Sequence, residues 1–224
     1  MVFSQIFLYP DLVTFPQEFT SSFRDRTRYV CNFIGREISA AKFQTPGFKR
    51  LCIVGSQNPS PACFQIDSAL SVEIGLDREE YDRLSKEELP EYFLALLNAG
   101  FEKTSRQFAL PLEQIDQAIS KFRALNYKNA WTHVEKTFRM ERLKCKLSCE
   151  LTMDRFSLTL NVNKNGSTIL HQEVLTTPPD EVSFHHRFKE LKFVDGKVVV
   201  QDKYGRLVFA FDPQNLECTN PPPN

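Results

Sequence analysis

The chain has 224 residues, and its 28 Lys plus Arg balance 28 Asp plus Glu, so the formal net charge is zero. That balance removes any global electrostatic argument for a nucleic-acid or membrane partner, and the length lies between one large domain and two small ones. Phe, with twenty copies, dominates the bulky apolar residues and is enough to fill a sizeable core, at about 1.5–3 kcal/mol for each buried side chain.

Met1 to Pro10 has no basic leader, and Ser4-Gln5 interrupts its apolar residues, so it does not read as a signal peptide. No run approaches the ~18 apolar residues of a transmembrane helix. Six cysteines without secretion cues read as reduced thiols. A soluble, cytoplasmic protein is the expectation.

In chain order, Met1 to Tyr9 predicts a strand ended by Pro10-Asp11. Thr14 is placed to cap a helix with Pro16 in its first turn, and Phe15, Phe19 and Phe23 share one face of that helix. Arg28 to Phe43 fits two readings. Val30, Phe33, Ile34 and Ile38 suit a helix, whereas Tyr29 to Ile34 ending at Gly35 also suits a strand. After the Pro46-Gly47 turn, Leu51 to Val54 predicts a buried strand, Ser56 to Pro61 a loop, and Cys63 to Ile66 with Ala69 to Leu76 two strands around Asp67-Ser68. Asp77 then caps a helical turn. Ser85 and Glu88 have capping-box spacing ahead of a helix whose face is Leu89, Phe93, Leu96, Leu97 and Phe101. Pro111 opens another, with Leu112, Ile115, Ile119 and Phe122 on one side and Asn126 at its end. Trp131, Val134 and Phe138 predict one more short helix.

Phe138 to Phe211 reads as antiparallel sheet. Cys145, Leu147, Cys149 and Leu151 alternate with Lys146, Ser148 and Glu150, and Phe156, Leu158, Leu160 and Val162 alternate with Ser157, Thr159 and Asn161, the period of a half-buried strand. Strands are predicted at Met140 to Thr152, Phe156 to Val162 and, after the Asn163 to Gly166 turn, Thr168 to Leu175. Beyond the Thr176 to Glu181 crossing loop comes a meander of Phe184 to Val194, Lys197 to Asp202 and Arg206 to Phe211. Asp195-Gly196 favours a type I′ hairpin turn, and Lys203-Tyr204-Gly205 a three-residue loop. The expected fold is a single α+β domain over residues 1–224: helix-rich over 1–137, antiparallel sheet over 138–212, and a loose tail over 213–224.

The eight glycines are never closer than eight residues apart, which rules out G-x-G-x-x-G, the P-loop and the G-x-S-x-G elbow. Cys145 and Cys149 share a strand face about 13 Å apart, too far to hold one zinc ion, and read as buried hydrophobes. His185 and His186 point to opposite faces if they lie in a strand. His171 and Glu173 on a neighbouring strand would complete a conceivable metal site, against which stands the ordinary reading of sheet-surface histidines. Cys31, Cys52 and Cys63 sit among apolar neighbours and read as core. No catalytic, cofactor-binding or metal-ligating residue is assigned.

Charge is more informative in its distribution. Asp77, Glu79, Glu80, Asp82, Glu87, Glu88 and Glu91 stand against Arg78, Arg83 and Lys86, whereas Arg24 to Arg50 and Lys136 to Lys146 are basic. Such runs are commonly solvated faces paired with each other. Read functionally, the acidic run is a face that docks a basic protein. A helix-turn-helix over Ser85 to Leu125 fits poorly, since its second helix offers only Lys121 and Arg123 to phosphates beside Glu113 and Asp116.

Asn129-Ala130-Trp131-Thr132-His133-Val134-Glu135-Lys136, Thr177-Pro178-Pro179-Asp180 and the closing Tyr204-Gly205-Arg206-Leu207-Val208-Phe209 resemble, in layout, small bacterial cytoplasmic α+β proteins that act as immunity proteins for polymorphic toxins. The resemblance implies a non-enzymatic inhibitor that binds a cognate toxin domain, and it transfers no functional residue. A basic toxin as partner follows from the acidic run alone. The alternatives are an enzyme of unfamiliar type, such as a metal-assisted hydrolase near His171, His185 and His186, and a secretion accessory or adaptor protein.

Overall fold

A computed structural model describes residues 1–219, which form five helices and three four-stranded sheets. This is the α+β class expected. The chain's internal packing gathers into two compact units, Met1–Asn129 and Ala130–Asn224.

In the first unit, β1 (Gln5–Pro10), β2 (Arg50–Ser56) and β4 (Ala69–Gly75) are parallel neighbours, and β3 (Cys63–Ile66) pairs antiparallel with β4 at the edge, giving the order β1-β2-β4-β3. Parallel pairing of β1 and β2 needs a long crossover. It is made by α1 (Gln17–Ala40), which settles the ambiguous stretch as helix. Thr14 does not cap that helix. It donates instead to the Asp11 carboxylate at 2.9 Å, and α1 begins after Pro16 without a side-chain cap. Thr27 Oγ1 donates to the Leu8 carbonyl at 2.7 Å and so ties the crossover to β1.

Alternation gives this sheet two unlike faces. Ile6, Leu8, Leu51, Ile53, Leu70 and Val72 are almost fully buried beneath α1 and α3 (Leu89–Ser105). On the other face Phe7, Tyr9, Cys52 and Val54 are only half-buried, and the Phe7 ring is flanked by the guanidiniums of Arg28 and Arg50, 4.3 and 4.9 Å from its centroid. Between β4 and α3 lies the short α2 (Arg78–Arg83), and α4 (Leu112–Ala124) follows. Rings hold these helices together: Phe23 of α1 meets Tyr81 of α2 and Phe93 of α3 at 5.0 and 5.4 Å, and Phe33 of α1 meets Phe122 of α4 at 4.8 Å.

The second unit holds two antiparallel sheets. One runs β5 (Asn129–Phe138), β6 (Leu143–Leu151), β7 (Phe156–Lys164), β8 (Ser167–Thr177) in chain order. After α5 (Glu181–Phe184), β9 (Glu190–Val194), β10 (Lys197–Gln201), β11 (Leu207–Asp212) and β12 (Glu217–Thr219) form the other. Cys145, Leu147, Cys149, Leu158, Leu160 and Val162 are buried in the first sheet, and Leu191, Val198, Val200, Phe209 and Phe211 in the second. Phe156, Phe184 and Phe188 stack nearly parallel, with Phe156 3.9 Å from Phe184 and 5.3 Å from Phe188.

Three expectations are corrected here. Residues 129–138 are strand, so the helix-rich part ends near 124 rather than 137. Trp131, Val134 and Phe138 imitate a helical stripe, but hydrogen bonding to β6 decides. Phe184 to Val194 is not one strand: Asp180 accepts from the Val182 N–H and caps α5, so β9 begins only at Glu190. Within the expected loose tail, Glu217–Thr219 pairs with β11, while Pro221-Pro222-Pro223 lies outside the described residues.

Candidate functional site

The acidic run sits where β4 leaves its sheet. Asp77, the second residue after β4, accepts from the Glu79 and Glu80 N–H groups at 2.8 and 3.2 Å and starts α2. Arg78 pairs with Asp82 at 3.3 Å and Arg83 with Glu79 at 3.1 Å, both one helical turn apart. Glu88 reaches back to the Ser85 N–H at 2.8 Å, the reciprocal half of a capping box, and that bond holds its carboxyl below the usual range.

Tyr81 and Tyr92 join α2 to α3, with ring centroids 6.0 Å apart. The Tyr92 hydroxyl donates to the Asp77 carbonyl at 3.4 Å. Burial, followed by the charges of Glu80 and Asp77, pushes the Tyr92 phenol up to about 12.

Glu91 leaves the group. Its two oxygens accept from Arg123 Nε and Nη2 at 2.8 and 2.7 Å and from the Tyr127 hydroxyl at 2.8 Å. The seven predicted carboxylates are thus all exposed but not equivalent. Asp77, Glu79, Asp82, Glu88 and Glu91 are engaged within the chain. Among the described residues the carboxylates of Glu80 and Glu87 have no hydrogen-bond or ion-pair partner.

Several arginines of the basic Arg24 to Arg50 run are engaged in the same manner. Arg26 donates to the Tyr81 hydroxyl, Arg50 to Gln5, and Arg36 to Asn32 and Asn129.

The histidines do not converge. His171 meets Asn161 through Nδ1 at 2.9 Å. His185 and His186 are exposed in the turn after α5 rather than on opposite faces of a strand. Among the described residues no group of three His, Cys, Asp or Glu side chains is placed to hold a metal ion. Cys145 and Cys149 are both buried, and burial pushes the Cys145 thiol up to about 12, which suits packing rather than nucleophilic attack. Burial likewise raises Cys52 and Cys63.

Two features lie outside the expectations drawn from the sequence. The Glu91–Arg123–Tyr127 network joins residues 32 and 36 positions apart, a separation at which no periodicity signals a contact. The half-open sheet face carrying Phe7 was legible in principle, since Phe7 and Tyr9 alternate with Ile6 and Leu8. No helix among the described residues is long and apolar enough to cross a membrane. Compared with protein-family models, with curated proteins and with solved structures, the chain matches none.

Proposed function

We propose that the protein is a non-enzymatic protein-binding module, an immunity-type inhibitor that binds and neutralises a cognate toxin domain through α2 and the start of α3. The observation that carries this reading is the ordering of the acidic run. Seven exposed carboxylates stand against three cations between Asp77 and Glu91, on a backbone held by the Asp77 cap of α2, the Glu88–Ser85 bond ahead of α3 and the Tyr81–Tyr92 contact. A backbone held in advance loses little freedom on docking, and an acidic run speeds encounter with an oppositely charged partner. Glu80 and Glu87 are the carboxylates left to meet it, so a basic toxin domain is the partner the surface fits.

Affinity capture from the native host, followed by titration of the captured partner, tests the proposal. Reversing Glu80 and Glu87 to Lys leaves the caps and ion pairs intact. It should weaken binding at least tenfold at low salt, on the order of 1.4 kcal/mol, and flatten the salt dependence. Unchanged affinity in the double variant removes the acidic face from the proposal. Failure to find any protein that binds at about micromolar concentration removes the proposal itself.

A further inference from the structure

The second unit carries a groove of about 540 Å³ between two hairpin tips, with Arg139, Arg142, Lys144, Asn163 and Asn165 on its walls. Its geometry is built locally. Residues 139–142 turn β5 into β6, closed by the Arg142 N–H to the Arg139 carbonyl at 3.2 Å. Asn165 and Gly166, at φ of 53° and 85°, turn β7 into β8, the two-residue left-handed turn that Asn-Gly favours. The Asn165 N–H donates to the Arg142 carbonyl at 3.3 Å, so the tips are tied to each other. Lys144 and Asn163 stand opposite in the β6–β7 register.

The charge in this groove is one-sided. Three cations line it and no carboxylate does. Lys144 pairs with Glu135 at 2.8 Å, and Glu141, in the turn itself, is not on the wall. Among the described residues neither Arg139 nor Arg142 has a carboxylate partner. Two exposed guanidiniums brought together at like charge, with their planar donor forks unused, suit an oxyanion that accepts two parallel bonds from each. Asn163 adds a donor, because its Oδ1 already accepts from the Thr168 hydroxyl at 2.7 Å and its NH₂ remains.

We infer that this groove binds the phosphate group of a small phosphate ester, with Arg139 and Arg142 on the phosphate oxygens, Lys144 as a point charge and Asn163 as a neutral donor. Orthophosphate alone leaves most of the volume empty. The groove falls in the range of about 300–1,000 Å³ typical of small-molecule sites, so an organic body of nucleoside size accompanies the phosphate. The inference is independent of the toxin-binding proposal, since it uses other residues in the other unit.

Calorimetric titration of the full chain with AMP, orthophosphate and adenosine at low salt tests it. AMP should bind saturably, orthophosphate more weakly, and adenosine not at all. Arg139→Gln and Arg142→Gln should each weaken AMP binding about tenfold. Lys144→Gln should weaken it less, because its ammonium is shared with Glu135. Circular dichroism of these surface variants separates lost binding from lost fold. No saturable AMP binding up to about 10 mM, or full binding by the Arg139→Gln/Arg142→Gln double variant, overturns the site. Adenosine binding as well as AMP overturns the phosphate, and orthophosphate binding as well as AMP overturns the ester.

Discussion

Glu91 and Arg123 face each other as a two-pronged ion pair, Nε to one carboxylate oxygen at 2.8 Å and Nη2 to the other at 2.7 Å, joining the first turn of α3 to the last turn of α4. The pair explains why one member of the acidic run cannot serve as a docking charge. It also orders Tyr127, whose hydroxyl donates to the same carboxylate while its backbone sits at φ 58°, a left-handed conformation that a bulky residue seldom adopts.

Replacing Glu91 by Gln should cost stability at neutral pH, by no more than about 1 kcal/mol, because both side chains are nearly half exposed and water screens the pair. The pH dependence has a definite sign. The Arg123 hydrogen bonds, with that from Tyr127, hold the Glu91 carboxyl below its usual value. Its contribution is therefore fully present above the unfolded value of about 4.3 and fades as pH falls through the lower folded value. Urea melts of both proteins at pH 7 and pH 3 check this. A difference that persists undiminished at pH 3 contradicts the ionic account.

Gly100 lies in α3 against β2. A Cβ there would come within 2.5–2.8 Å of three carbons of the Ile53 side chain, which is fully buried and has little rotamer freedom as a β-branched residue. Gly100→Ala gains up to about 1 kcal/mol of helix propensity but overpacks the core at a cost of about 1–3 kcal/mol. Net destabilisation is expected, and thermal unfolding measures it. Adding Ile53→Val should recover part of the loss by removing one of the crowding carbons.

Asn129, 1% exposed, links α1 to the end of the first unit. Its Nδ2 donates to the Tyr29 carbonyl at 2.7 Å and to Asn32 Oδ1 at 3.1 Å, while its Oδ1 accepts from Arg36 at 2.6 Å. Asn129→Ala should cost about 1–3 kcal/mol, since it removes three hydrogen bonds made by a buried side chain. Asn129→Asp keeps the Arg36 bond but cannot donate to Tyr29 or Asn32, so it should recover only part of that loss in denaturant melts.

Thiol labelling reads the cysteines directly. Cys218 is exposed and Cys31, Cys145 and Cys149 are buried. Because burial raises the Cys145 thiol to about 12, it stays protonated at pH 8. A disulfide reagent at that pH should modify Cys218 first and reach Cys31, Cys145 and Cys149 only on unfolding. Rapid labelling of Cys145 in the native protein contradicts the packing assignment.

Much of the architecture follows from local pattern, and some of it does not. The alternation of Cys145 to Leu151 and of Phe156 to Val162 determines β6 and β7, because a one-residue slip would turn every apolar side chain outward. Asp195-Gly196 determines its hairpin, with φ of 50° and 79°, Asp77 its helix cap and Glu88 its bond to Ser85, since each acts on atoms two or three residues away. Tertiary structure alone decides that Asn129–Phe138 is strand, because a mostly exposed strand at a sheet edge carries no clean alternation and only its partner defines it. It alone decides that β4 sits between β2 and β3, because pairing partners are chosen between segments far apart in the chain. The same holds for function. Chain order alone shows which carboxylates and which cations fall in runs. Only folding decided that Glu91 is spent on Arg123, that Glu80 and Glu87 are not spent, and that Arg139 and Arg142 share one groove, because electrostatic partners are chosen through space and at a distance along the chain that periodicity does not see.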